Sequence, residues 1–211
     1  MGLIGPISHI ILTMIAIIDY GAGNIRSVTN ALGRLGAEWR LTADPAEIIA
    51  ADRVLLPGVG HGGEALARLR ATGLPETIVR LRRPVLGICV GMQIMCRHTD
   101  EGDVDGLGIF DARIHRFVPR TEADKVPHMG WNNIGNLESK LFKGIAGGER
   151  VYFVHSYYAP LCPDTIATTR WGSDGMMLSA ALKYENFYAT QFHPEKSGDT
   201  GERILRNFLE L

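Results

Sequence analysis

Val85-Leu86-Gly87-Ile88-Cys89-Val90-Gly91-Met92-Gln93 reads as a buried strand that turns sharply into a helix. Residues 85–88 are apolar throughout, the mark of a strand covered on both faces in a parallel sheet. The run passes straight into Cys89-Val90-Gly91 and then into 92–96, which reads as helical. A cysteine after a core strand is ordinarily a small buried hydrophobe. Here glycines stand two residues before and two residues after it, the pattern of a nucleophile elbow with Cys in place of Ser. The glycines let the backbone turn tightly, the turn lifts the sulfur off the sheet, and the following helix start favours negative charge on it.

The pattern repeats outward from this point. Residues 15–18 form another all-apolar run, ended by Asp19-Tyr20-Gly21, and 24–35 carry one apolar helical face with Gly36 as the stop. Residues 39–41 and 53–56 read as strands, 45–50 as a short helix opening after Asp44, and 63–69 and 75–81 as helices. Strand and helix alternate, which argues for a parallel sheet covered on both faces. Past residue 108 the character changes. Residues 109–117, 151–154, 166–169, 177–182 and 187–191 read as short strands separated by turn residues, hence antiparallel or mixed sheet, and 202–211 as a closing amphipathic helix. We read one domain over 14–211, with 1–13 as a loosely held extension that lacks the charged start of a signal peptide and is too short to span a bilayer.

A thiol nucleophile needs a base. Among seven histidines, His193 stands in Gln191-Phe192-His193-Pro194-Glu195, just after the last expected strand. On strand-like backbone, residues two apart share a side, so Glu195 can orient the imidazole and the imidazole can activate Cys89. An isolated H-P-E is as readily a surface turn; the elbow is what makes it catalytic. Leu56-Pro57-Gly58-Val59-Gly60 ends a strand at the same sheet edge and can turn backbone N–H groups into the site, alongside the N–H of Val90. Cys96 reads as a core residue on the helix, and Cys162, between Pro160 and Pro163, as a loop residue.

Composition excludes several classes. The chain has 211 residues, 45% hydrophobic and 21% charged, with formal net charge −1 and no basic stripe, which argues against sequence-independent nucleic-acid binding. Three cysteines without C-x-x-C spacing suggest neither a disulfide framework nor a thiolate zinc site, and a reducing cytoplasm fits best. In Tyr20-Gly21-Ala22-Gly23-Asn24 the third glycine of a dinucleotide fingerprint would fall on Arg26, so that motif fails. No phosphate loop and no metal-ligand spacing is visible; we expect no cofactor, no metal and no membrane role.

G-x-C-x-G-x-Q at 87–93, P-G-V-G at 57–60 and H-P-E at 193–195 resemble the class I, triad-type glutamine amidotransferases. Asp19-Tyr20-Gly21-Ala22-Gly23-Asn24, Pro127-His128-Met129-Gly130-Trp131-Asn132 and Tyr152-Phe153-Val154-His155-Ser156-Tyr157 are similar to the glutaminase subunits of imidazole glycerol phosphate synthase, over about residues 14–211. The resemblance implies an α/β, flavodoxin-like three-layer fold: a mainly parallel central sheet with helices on both faces and an antiparallel C-terminal part. It implies that Cys89 attacks the side-chain amide of glutamine, that His193 shuttles the proton and that Glu195 holds it. The amides of Val59 and Val90 would form the oxyanion hole, and Gly58, Gly60, Gln93, Ser156 and Tyr157 would hold the substrate. It further implies a heterodimer with a (β/α)8-barrel cyclase, fed with ammonia through a shielded channel, with Asn24, Trp131, Tyr152 and Lys196 at or near the interface. The other readings are a glutaminase feeding the guanylate, anthranilate or pyridoxal-phosphate pathway, a cysteine peptidase, and a non-catalytic interaction protein on the same fold. The glycine-rich 57–60 turn can hold two backbone states, and we expect a partner to select between them.

Overall fold

The structure, a computed structural model, describes residues 13–21 and 25–211. The expected extension, apart from Thr13, and Asn24 lie outside the described residues. In chain order the elements are β1 (Met14–Ile18), α1 (Ile25–Arg34), β2 (Glu38–Thr42), α2 (Pro45–Ala50), β3 (Arg53–Leu56), α3 (Gly62–Ala71), α4 (Pro75–Val79), β4 (Val85–Ile88), α5 (Val90–Met95), β5 (Cys96–Thr99), β6 (Val104–Asp105), β7 (Phe110–Arg116), β8 (His128–Asn133), β9 (Arg150–His155), β10 (Tyr157–Tyr158), β11 (Thr165–Trp171), β12 (Met176–Tyr184), β13 (Phe187–Thr190) and α6 (Gly198–Leu209).

Seven strands make the main sheet in the order β11-β12-β13-β4-β3-β1-β2. The block from β2 to β13 is parallel, and β12 and β11 continue it antiparallel. The parallel block runs 2-1-3-4 and then β13, the flavodoxin-like order, in which ligands collect beyond the carboxyl ends of the strands. Strands β4 and β13 are buried at every position, and β1 at all but its first. Because successive side chains point to opposite faces, that burial means both faces of the sheet are covered. Smaller sheets, β10-β7-β5-β6 and β8-β9, wall the site from the side. Asp44 caps α2 by accepting the N–H of Ala46 at 2.8 Å, as its position before Pro45 requires.

Two expectations are corrected here. Cys96 is not helical: α5 stops at Met95 and Cys96 opens β5. The carbonyls of Ile94, Met95 and Cys96 accept N–H groups from Leu107, Ile109 and Gly108 at 2.8–3.2 Å, so returning chain takes the acceptors a longer helix would have used. His193 and Glu195 do not sit on extended strand either. Strand β13 ends at Thr190, and Pro194, which has no N–H to give a ladder, opens a 3-10 turn over Pro194–Lys196.

The end of β3 and the elbow after β4 interlock. A Cβ on Gly91 would lie 1.9 Å from the Leu56 carbonyl oxygen, and one on Gly58 would lie 2.6 Å from the Gly91 nitrogen. Both glycines are therefore required by close backbone approach. We expect Gly91→Ala to cost about 3 kcal/mol or more in urea unfolding, because the obstructing atoms are backbone. Gly33→Ala, on the exposed side of α1 with nothing within 4 Å of its Cβ, should instead stabilise by about 0.5–1 kcal/mol.

Candidate active site

Cys89 holds φ 53° and ψ −108°, a conformation that L-residues rarely adopt. Such strain costs on the order of 1–3 kcal/mol and persists only where the surroundings impose it. They do so here: the Cys89 N–H donates to the Thr190 carbonyl at 2.8 Å, its carbonyl accepts the Gln93 N–H at 3.2 Å, and Gly91 is wedged against Leu56. The residue is buried but lines a cleft of about 450 Å³ together with Val59, Gly60, Val90, Gln93 and His193. The lining is completed by Glu101, Pro127, Val154, His155, Ser156, Tyr157 and Lys196.

His193 and Glu195 meet behind the sulfur, Nδ1 to Oε1 at 2.8 Å, with both side chains buried. The 3-10 turn makes this contact, since its Lys196 N–H and Ser197 N–H donate to the carbonyls of His193 and Pro194 at 3.0 Å. The Ser197 hydroxyl also donates to the His193 carbonyl at 2.6 Å, and the His193 N–H donates to the Tyr152 carbonyl at 2.9 Å. Burial works against a charged imidazole. The hydrogen bonds and charges of Cys89 and Glu195 outweigh it, and His193 is pushed up to about 10. The Cys89 thiol itself is turned toward the Val154 carbonyl, 3.9 Å away.

The expected oxyanion and substrate residues gather as a group. Val59, Val90, Gly60, Gln93, Ser156 and Tyr157 all line the cleft, while Gly58 lies beneath it, interlocked with Gly91. The 57–60 turn has one fixed end: the Tyr20 hydroxyl donates to the Pro57 carbonyl at 2.6 Å. Burial first, then the nearby Cys89, raises the Tyr20 pKa above its ordinary value and keeps that donor protonated. The other end is looser, with Val59 36% exposed and Gly60 at φ +90°. Of the expected interface residues, Trp131, Tyr152 and Lys196 cluster beside the His193 turn. The Trp131 and Tyr152 rings meet edge to face at 6.2 Å, and the Lys196 ammonium lies 6.0 Å from the Tyr152 ring centre. Trp131 is not a core aromatic: 48% of it is exposed, next to the exposed Met129 on β8.

Four residues in and around the site carry contacts that the sequence does not assign, although Tyr20, His155 and Gln191 stand within the motifs quoted above. Glu101 lines the cleft and accepts the Gly62 N–H at 2.6 Å. Tyr20 fixes Pro57, as above. Gln191 is buried against Cys89, and His155 pairs with His128, Nε2 to Nδ1 at 2.9 Å. Burial, and for His155 also its histidine neighbours, holds this pair neutral: His128 is pushed down to about 4 and His155 to about 3. Among the described residues no helix is long and apolar enough to cross a membrane, and no cluster of three or more His, Cys, Asp or Glu side chains could hold a metal ion.

The strained elbow at Cys89, the buried His193–Glu195 pair and the glycine-rich 57–60 turn all meet at this one cleft. A family profile described as glutamine amidotransferase class-I matches residues 16–211, and the chain belongs to that family. The chain is 58% identical over 197 residues to the imidazole glycerol phosphate synthase subunit HisH of Bacteroides thetaiotaomicron, covering 93% of this chain and 99% of that one. It is 45% identical over 201 residues to the HisH subunit of Xanthomonas campestris, covering 95% and 98%. Two solved structures share the fold: a crystal structure described as a glutamine amidotransferase (TM-score 0.69, 19% identity, 93% and 97% covered) and a glutamine amidotransferase from Thermotoga maritima (TM-score 0.59, 18% identity, 94% and 83% covered).

The neutral histidine pair has a stability consequence. Both values lie below the 6.5 of a free histidine, so the unfolded chain binds protons first as pH falls. The pair's contribution is therefore complete above pH 6.5 and is lost as pH drops toward 4 and 3, at about 1.4 kcal/mol per pH unit for each histidine. His193, shifted the other way, is protonated in both states below 6.5 and does not offset this. Urea unfolding between pH 6.5 and 4.5 should show this slope, and His155→Gln should roughly halve the part the pair contributes.

Proposed function

We propose that this chain is the glutaminase subunit of an imidazole glycerol phosphate synthase. It hydrolyses glutamine to glutamate and ammonia and passes the ammonia to a (β/α)8-barrel cyclase subunit, which makes imidazole glycerol phosphate and aminoimidazole-carboxamide ribonucleotide in histidine biosynthesis. The observation that carries the reading is the convergence of Cys89, on its strained elbow, with the buried His193–Glu195 pair. The relatives' identities of 45–58% over nearly their whole length point to the same subunit.

The chemistry follows from that geometry. His193 takes the thiol proton, and its raised affinity for a proton favours the thiolate–imidazolium pair. The sulfur attacks the side-chain amide carbon, and the N–H groups of Val59 and Val90 receive the oxyanion that forms. His193 returns its proton to the leaving nitrogen, releasing ammonia and a γ-glutamyl thioester on Cys89. It then deprotonates water, which displaces the sulfur and releases glutamate. Glu195 fixes the imidazole tautomer through Nδ1 throughout.

Ammonia released into water would be protonated and lost to the acceptor reaction, so the donor site should abut its acceptor. The exposed Trp131, the half-buried Tyr152 and Lys196, which also lines the cleft, offer a docking face beside the His193 turn. With a cyclase subunit and its nucleotide present, Cys89→Ala should lower glutamine-dependent synthesis by more than about a thousandfold. Synthesis from added ammonium salt should be retained. Glutamine-dependent turnover that survives the substitution would remove Cys89 from the chemistry and favour a non-catalytic role.

A further inference from the structure

Gln191 is fully buried between β13 and the His193 turn and has no part in the steps above. Its side-chain Nε2 lies 3.8 Å from Cys89 Sγ, and its Oε1 accepts from Gln93 Nε2 at 3.2 Å. A glutamine amide has two ends alike in shape and opposite in chemistry, so its direction must be fixed by a neighbour that can play only one role. That neighbour is the Tyr157 carbonyl, which can only accept.

The Tyr157 carbonyl takes N–H groups from Gln93 Nε2 at 3.2 Å and from His155 Nδ1 at 2.7 Å. Gln93 must therefore present its amine to Tyr157, and that same amine faces Gln191. Gln191 must answer with its oxygen, which turns its own N–H groups toward the sulfur. The histidines carry the same polarity. His155 donates through Nδ1, so its Nε2 accepts from His128 Nδ1 at 2.9 Å, and His128 Nε2 accepts from Asn132 Nδ2 at 3.1 Å. The direction of Asn132 is set independently, by donation to the Arg170 carbonyl at 2.7 Å and by acceptance of the Asn133 N–H at 2.8 Å. The assignment reached from Tyr157 and the one reached from Arg170 agree.

We propose that Gln191 is a further catalytic residue: its side-chain N–H donates to the Cys89 sulfur and stabilises the thiolate, in a direction imposed by the Tyr157 carbonyl through Gln93. The Val154 carbonyl, 3.9 Å from the sulfur, can accept from a thiol but cannot stabilise a thiolate. Gln191 supplies an uncharged donor beside the imidazolium each time the sulfur carries negative charge, before attack and again when water displaces it. The inference rests on Cys89 being the nucleophile.

The test is the rate at which iodoacetamide alkylates Cys89 in the full chain, read by peptide mass spectrometry across neutral to alkaline pH. Gln191→Met, similar in length and lacking the donor, should slow alkylation about tenfold near pH 7 and converge with the parent in alkali, the loss expected for one hydrogen bond to a charged group. Superimposable rate profiles would overturn the proposal. Should Gln191→Met not fold, the parent chain supplies the readout. A side-chain amide proton of Gln191 should shift downfield in NMR with the same pH midpoint as Cys89 alkylation, and an unmoved signal overturns the proposal. If Cys89 in the parent reacts no faster than the half-buried Cys162, the nucleophile assignment fails and this inference falls with it. A fast Cys89 indifferent to Gln191→Met would sink this inference alone.

Discussion

The approach of Gly91 to the Leu56 carbonyl is the constraint on which the rest of the site depends. It brings the end of β3 against the first turn of α5 closely enough that no side chain fits between them. The same contact holds Cys89 in its strained conformation at the carboxyl edge of the sheet and places the 57–60 turn across from it. The strain is offset by the surrounding parallel strands, which are buried on both sides and hydrogen-bonded to β4 from β3 and β13. The Cys89 elbow and the 57–60 turn are thus one structural unit, and a change to either glycine is felt by both.

Around that unit the electrostatics divide into two regions. Behind the sulfur lies a buried pair, His193–Glu195, joined through Nδ1 and Oε1, while Glu195 Oε2 is buried without a hydrogen-bond partner. A second region is a chain of neutral groups, from Asn132 through the two histidines to the Tyr157 carbonyl, and from there through the two glutamines to Cys89. Every link in it can be assigned a single donor direction. In the proposed mechanism the charged region would supply proton transfer, and the neutral region would fix the direction of the amide that faces the sulfur. The neutral region also begins on β8, the strand that presents Met129 and Trp131 outward.

How far the sequence could be read depended on how local the determining interaction is. Strands β1 and β4 are legible because burial on both faces writes an unbroken apolar run, and β3 because the apolar 54–56 ends at Pro57-Gly58. The elbow was legible because its glycines lie within two residues of Cys89. Strand β8 leaves no strand signal in the sequence, since its alternation of half-buried and exposed positions falls on polar residues and on Gly130 at φ +123°. Residues two apart on a strand predict the His193–Glu195 contact, and the structure makes it instead through a turn opened by Pro194. The end of α5 at Met95 is set by carbonyls claimed from residues 107–109, which nothing near Cys96 announces. Gln191 reaches Cys89 across 102 positions of sequence, and such contacts leave no local trace.

The most direct measurement is rapid-quench mass spectrometry of the chain mixed with glutamine, carried out with the cyclase subunit and its nucleotide present. The expected result is a γ-glutamyl adduct confined to the Cys89 peptide, formed before glutamate appears and absent when Cys89 is replaced by Ser. Glutamate production with no adduct on Cys89, or an adduct on Cys96 or Cys162 instead, would contradict it.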